Sequence, residues 1–468
     1  MAFGVPGAIQ LPSFAMVGAT LSRWTMSYFA LALVSLLVAQ CLLAAGYGFP
    51  AAPVKAPQTL VVVHIVALGW LSLLLCGALF QFVPVLVAKP IYSNFLPLPT
   101  LVLLVTGLIA VVVGFLQLSG TRALDFGMSL LPVGAILLGL GFALALWNLG
   151  RTLWVAWPLA LPARFVVGGL CSLAAAAAFG IIFAFVVAGA TSQRDFIELA
   201  ASGLPLHVIA GLGGWLTLTA MGVSYRLLAM FMLAPERDGP RTRAVLYLGA
   251  GAVTVAVVGG TAAILSRTGL DVILLAAGLL GLAALALYGH DILQLYRLRK
   301  RPVIEINSRM AVVALANLAA SAVLSIGFIA TGTLGRHVGA LVFLVSFGWL
   351  SGLGLAKLYK IVAFLTWLEC YGPVLGKTPT PRVQDLVVER RAAKWFQLYF
   401  AAVWLATLCL LLGFSAAFRI GAAAMTVATA GIVVHLLRTR RLMEVTPAQR
   451  LPLGARRPRL LISTVQHA

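Results

Sequence analysis

Charge is scarce in this 468-residue sequence, and negative charge is scarcest: Asp and Glu number 12 against 33 Lys and Arg, and only 10% of residues are charged. Soluble globular domains average about 25% charged residues, so a chain this depleted does not have water as its main solvent. The five cysteines, Cys41, Cys76, Cys171, Cys370 and Cys409, stand singly in or near apolar segments, with no C-x-x-C or C-x-x-C-H among them. That excludes a disulfide framework and a covalently attached haem, and leaves packing as their role. There is no phosphate loop, dinucleotide fingerprint or hydrolase elbow. The first 22 residues lack both the basic start and the continuous apolar core of a cleavable signal peptide.

What is abundant is apolar surface. Hydrophobic residues make up 62% of the chain and the mean hydropathy is +1.05. A hydrocarbon core of about 30 Å needs roughly 20 helical residues per crossing. Runs of that kind predict transmembrane helices over Ser27–Tyr47, Thr59–Val87, Thr100–Leu118, Phe126–Asn148, Ala163–Thr191, Pro205–Phe231, Ala244–Leu265, Asp271–Tyr296, Asn307–Thr331, Gly335–Trp367, Trp395–Phe414 and Arg419–Leu436. The runs are continuously apolar, whereas a membrane barrel alternates polar and apolar residues, so the expected class is an all-α polytopic membrane protein of about twelve helices. The first 20 residues and the tail 444–468 are expected to be poorly ordered, with one membrane domain over 1–443. Tyr371–Val388 reads as a Pro- and Gly-containing loop.

The placement of positive charge sets the topology. All Lys and Arg except Lys55, Arg122, Arg194, Arg267, Arg336 and Arg419 fall nearest loops on the side of the termini. The positive-inside rule then puts both termini in the cytoplasm, as in a bacterial inner-membrane protein. The clusters Arg297-Leu-Arg-Lys-Arg301, Arg390-Arg391 and Arg438-Thr-Arg-Arg441 are topology signals and contacts to anionic lipid, not a nucleic-acid surface.

One block occurs three times without a gap, in predicted helices 2, 6 and 10: Gly69-Trp-Leu-Ser-Leu-Leu-Leu-Cys-Gly-Ala-Leu-Phe-Gln81, Gly214-Trp-Leu-Thr-Leu-Thr-Ala-Met-Gly-Val-Ser-Tyr-Arg226 and Gly348-Trp-Leu-Ser-Gly-Leu-Gly-Leu-Ala-Lys-Leu-Tyr-Lys360. The glycines are 145 and 134 residues apart, close to four helices, which predicts three four-helix units over about 24–150, 151–300 and 301–443. The small pairs Gly69/Gly77, Gly214/Gly222 and Gly348/Ala356 are the kind that lets membrane helices approach closely.

Each of these helices also carries a histidine on its outer half: His64, His207 and His337 precede the block's glycine by 5, 7 and 11 residues. At 1.5 Å per residue, His64 and His207 differ in depth by roughly 3 Å, and His337 lies about one turn further out than His207. Ionisable residues inside a membrane are costly and usually functional. Converging neutral imidazoles could ligate haem iron or copper. For each of the three, the alternative is a packed or interfacial histidine, most simply for His337, which follows Arg336 at a helix start. His290 and His435 sit at helix ends, where they favour the dipole, and His467 is in the tail.

Twelve helices in three units, with histidines near one face of helices 2, 6 and 10, resemble subunit I of the haem-copper oxidase superfamily. The likeness is closest to the branch of C-family oxygen reductases and bacterial nitric oxide reductases. His64-Ile-Val-Ala-Leu-Gly-Trp70, followed by Gly77, Phe80 and Val83-Pro84, follows that branch's pattern. The NnrS family of haem- and copper-associated twelve-helix proteins is similar in kind. The resemblance implies a haem b with axial ligands His64 and His337, His207 as a copper or second haem ligand, and other respiratory membrane subunits as partners. It departs from the family in having no histidine in Ala244–Leu265, one histidine in helix 10, and no mid-membrane acid. The expected function is electron transfer, or handling of a gas such as nitric oxide or oxygen, without a complete dinuclear centre. The alternatives are a transporter, with Asn317, Lys357 and Arg226 on a path, and an accessory or assembly subunit of a respiratory oxidase.

Overall fold

The computed structural model describes residues 22–120 and 128–463. Among these, twelve helices are long and apolar enough to cross a membrane, and there are no strands. They are α1 (Thr25–Ala45), α2 (Pro57–Val87), α3 (Pro97–Leu118), α4 (Leu130–Val155), α5 (Leu161–Val187), α6 (Leu204–Met232), α7 (Pro240–Leu265), α8 (Asp271–Arg297), α9 (Ile306–Ala330), α10 (Leu334–Val374), α11 (Glu389–Leu412) and α12 (Ser415–Arg440). The chain is a multi-pass membrane protein. The first 20 residues, the start of the fourth span at Phe126, Arg122 and His467 lie outside the described residues.

The helix ends depart from the apolar runs for local reasons. Proline at the first helical position starts α2, α3 and α7, where its missing N–H is one no helix could use, so these begin earlier than hydropathy alone indicates. Gly46, at φ +82°, turns the chain out of α1 two residues before the predicted end. α4 runs on through Arg151 to Val155, because a helix outlasts the apolar stretch that buries it. Pro84 does not break α2, which continues to Val87.

α2, α6 and α10 form the centre. Between 56% and 67% of their most apolar windows is buried inside the bundle, against 17–44% for the other nine described spans, and the three touch one another pairwise. The pairs α3–α4, α7–α8 and α11–α12 are close hairpins, and α4–α5, α8–α9 and α12–α1 adjoin around the outside.

The repeated glycines set how closely the outer helices approach. A Cβ on Gly69 would lie 2.7 Å from Ser35 Oγ of α1, and one on Gly214 would lie 2.4 Å from Ser172 of α5. On Gly348 it would come 3.1 Å from Asn317 Cβ of α9. Gly77 and Gly222 repeat the contact one level on, with Tyr28 at 2.5 Å and Phe165 at 2.4 Å. α1, α5 and α9 therefore rest on the backbone of α2, α6 and α10, where packing rather than hydrophobic transfer drives association within a bilayer.

The end carrying Lys89, Arg151, Arg226, Arg297 to Arg301 and Arg438 to Arg441 is the basic end. Two acids, Asp291 and Glu369, are buried there, and a third, Glu305, is half-buried. Asp291 accepts from Tyr225 (3.1 Å), Thr242 (2.7 Å) and Arg237 (3.4 Å). Glu369 accepts from Arg440 at 2.9 Å, and Glu305 pairs with Lys360 at 2.7 Å. The described part of the tail lies back along this end through Ser463. Arg450 O accepts from Tyr371 (2.8 Å), Leu461 O from Ser27 (2.7 Å), and Arg459 O from the buried Arg440 guanidinium, which needs acceptors there. The loop after α10 is tied by Trp367 Nε1 to Pro381 O at 2.6 Å.

The glycine contacts predict that Gly222→Val lowers the thermal midpoint of the detergent-solubilised protein by several degrees or abolishes the folded species. Gly278→Val, where a Cβ meets nothing within 4 Å, should leave it unchanged. Equal losses in fluorescence-detected size-exclusion melts would refute the close-approach role.

Candidate functional site

The three Gly-Trp-Leu blocks share a backbone feature absent from most of the bundle. α2 widens to i→i+5 hydrogen bonding over Ile65–Ser72, α6 over Ile209–Leu218 and α10 over Leu344–Ser351. The first and third of these segments begin four residues before the repeated glycine and end three after it. A shorter one, Val255–Gly259, lies in α7. Such π turns are uncommon, and they gather at functional positions because the extra residue re-aims the side chains on either side.

Inside these segments the tryptophans link the central helices. Trp70 Nε1 donates to Ser351 Oγ of α10 at 2.8 Å, and Trp215 Nε1 donates to Ser72 Oγ of α2 at 3.0 Å. Each acceptor is the third residue after its own block's glycine. Ser351 passes the bond on to Ser346 O at 2.6 Å. Continued round, the pattern would join Trp349 to Thr217, but the fully buried Trp349 Nε1 has no protein partner. The collar closes at two of its three joints.

The histidines stand on the side of this collar away from the basic end. His64 immediately precedes the π segment of α2, and its Nδ1 lies 2.7 Å from Leu60 O. His207 is two residues before the segment in α6, and its Nδ1 lies 3.1 Å from Ala176 O of α5. A carbonyl can only accept, so both rings carry the proton on Nδ1 and present Nε2 as a lone pair. Phe115 packs on His64 at 5.0 Å between ring centroids, and Phe183 on His207 at 5.6 Å.

His337 is placed differently. It is seven residues ahead of the α10 segment, half-buried, and stacks on Phe328 with centroids 4.4 Å apart. His64 and His207 thus both stand at the edge of the π segments of two touching central helices, whereas His337 lies further from the segment of the third. Among the described residues no three His, Cys, Asp or Glu side chains come together as a metal-binding group. His290 is exposed beside Gln294, at 3.5 Å. Of the residues considered for a transport path, Asn317 donates to Gly348 O at 3.1 Å and Arg226 is paired with Glu236. Lys357 is buried, has no hydrogen-bonding partner in the protein, and lies 5.7 Å from the Phe231 ring.

No family model matches the chain, and no curated protein is detectably similar to it. The site is therefore argued from its own geometry. Sequence reasoning found the histidines by depth. It missed their anchoring carbonyls, which belong to the backbone and leave no trace in residue type, and it missed the tryptophan collar, although the Ser/Thr three residues after each glycine was its visible signal.

Ser351→Ala and Ser72→Ala each strand a buried indole N–H and should cost about 1 kcal/mol. Thr217→Ala removes no such bond and should cost much less. Thermal midpoints in detergent check this, and equal effects at all three sites would contradict the two-joint collar.

Proposed function

We propose that this protein is a haem-binding integral membrane protein of oxidase-like architecture, serving electron transfer or the handling of nitric oxide or oxygen, without a complete dinuclear metal centre. The observation that carries the proposal is the matched state of His64 and His207. On two central helices, at similar depth, both imidazoles are held by Nδ1 on a backbone carbonyl with Nε2 available. Metal-ligating histidines are oriented by such an outer bond, which fixes the tautomer and raises basicity at the other nitrogen.

The donor set fits haem iron or copper, both of which accept imidazole. Bound haem would supply one-electron chemistry and an iron able to take a diatomic ligand. Leu60 and Ala176 would orient the ligating rings, while Phe115 and Phe183 cover them and exclude water. His337, the second axial ligand in the resemblance, would have to leave its Phe328 stack or be reached by a group spanning toward α10. A single site built on His64 and His207 needs no such movement. The missing histidines in α7 and the single one in α10 argue against oxygen reduction at a paired metal centre. The charge asymmetry supports an inner-membrane location with both termini cytoplasmic.

The second reading, transport, draws on Lys357, a buried amine without a protein hydrogen-bond partner on a central helix. Metal-independent uptake that survives His64→Ala would favour it.

The deciding measurement is the absorption spectrum of full-length protein purified after growth with ample haem, together with the His64→Ala, His207→Ala and His337→Ala variants. We expect a Soret band in the parent that is lost in the first two variants at unchanged elution volume. For His337→Ala we expect the band to persist. Its loss would restore the His64 and His337 pairing. A parent with no Soret band would overturn the haem proposal.

A further inference from the structure

At the basic end, a small cavity with room for about one water lies among the start of α9, the inner end of α10, the turn Val383–Leu386 and the start of α11. Its wall includes Asn307, Tyr359, Glu305, Lys360 and Glu389. Nothing in the proposed haem site uses it.

The charges in its wall are already paired. Lys360 Nζ is 2.7 Å from Glu305 Oε2, and Arg301 meets the other oxygen of that carboxylate. Glu389 accepts from Ile306 N at 3.2 Å and faces Arg309 at 3.5 Å. With both carboxylates matched by cations, a further ion is not required, and a neutral occupant fits best.

Apart from Glu305 Oε2, which faces Lys360, the groups of the wall without a hydrogen-bond partner are neutral. Asn307 is 1% exposed and neither of its amide atoms has a protein partner, and Tyr359 is 3% exposed with its hydroxyl likewise unpartnered. Leaving such groups dry is costly, and nearly all buried polar groups in proteins are hydrogen-bonded. A buried water needs two to four polar partners and about one probe sphere of room. Asn307 Nδ2, Asn307 Oδ1 and Tyr359 Oη supply three, and the free space is on the order of one water.

We infer that this cavity is a water-binding site in which one or two waters bridge Asn307 to Tyr359. The joint between α9 and α10, beneath α11, is then hydrated rather than made by direct side-chain contact. An internal water trades hydrogen bonds more readily than two packed side chains do, so this joint is where α10 can shift against its neighbours without exposing a bare polar group.

Two measurements on full-length protein in detergent test this. The first is the thermal midpoint of Asn307→Leu, Tyr359→Phe and the double variant. A bridging water predicts that each single change lowers the midpoint by several degrees, and that the double change costs little more than the larger single one. Dry, unpartnered groups predict that both single changes leave the midpoint unchanged or raise it, which would overturn the inference. The second is X-ray hydroxyl-radical footprinting, in which bound water generates the radical locally. We expect Tyr359 to be modified despite its burial, at a rate comparable with the exposed Tyr92, and Asn307→Leu to reduce that rate at least several-fold. An unmodified Tyr359 in the parent would also overturn the inference, whatever Asn307→Leu does to folding.

Discussion

The close approach of helices at the repeated glycines is the constraint on which the other features of the bundle depend. Within a bilayer, burying one more leucine against another helix gains little over burying it in lipid, so shape and hydrogen bonding must hold the helices together. Ser35 on Gly69, Ser172 on Gly214 and Asn317 on Gly348 bring α1, α5 and α9 against the backbone of the central helices. With the outer helices seated that deeply, α2, α6 and α10 can meet at the centre, and three indoles fill the space between them. A side chain at any of those glycines would push the outer helix away and open the collar.

Polar satisfaction explains much of the rest. With no water in the hydrocarbon region, each indole N–H and each imidazole must find a protein acceptor or remain unsatisfied. Trp70 and Trp215 find hydroxyls on the neighbouring central helix, and His64 and His207 find carbonyls. The histidine solution has a chemical consequence that the tryptophan one lacks. An indole with its single N–H bonded is spent, whereas an imidazole bonded through Nδ1 still has a lone pair. The rule that stabilises the bundle therefore leaves two Lewis bases on its inner helices.

Much of the fold was legible in the sequence because the bilayer imposes a length and an apolarity on every crossing. The ends were less so, since Pro57 and Pro240 start helices ahead of the apolar run and α4 continues past it. The three blocks were visible as a repeat, but the π turns within them were not. In a segment that is apolar on all sides, a change in residues per turn alters no hydrophobic pattern. Asp291 and Glu369 lie near helix ends, as the sequence indicates, and only the packing of Tyr225, Thr242 and Arg440 around them shows that they are enclosed. The depths of His64 and His207 follow from topology, but the carbonyl and the ring that each meets depend on the rotation of each helix, which no spacing within a single helix encodes.

The two ends of the bundle solve the problem of buried polarity in opposite ways. At the basic end, carboxylates and guanidiniums neutralise one another, as at Asp291 with Arg237 and Glu369 with Arg440, and these pairs pin loops and tail to the helices. Toward the other end, His64 and His207 are instead each anchored through Nδ1 on a backbone carbonyl. An ion pair is complete in itself and has no further valence to offer. An imidazole anchored through Nδ1 can still offer Nε2, and on the proposed reading Phe115 and Phe183, which pack on the two rings, would suit a metal held in a large apolar ring. On the proposed reading, the contrast between paired charges at the basic end and two anchored imidazoles is the reason to seek the chemistry of this protein beyond the collar, on the side that carries fewer of its basic residues.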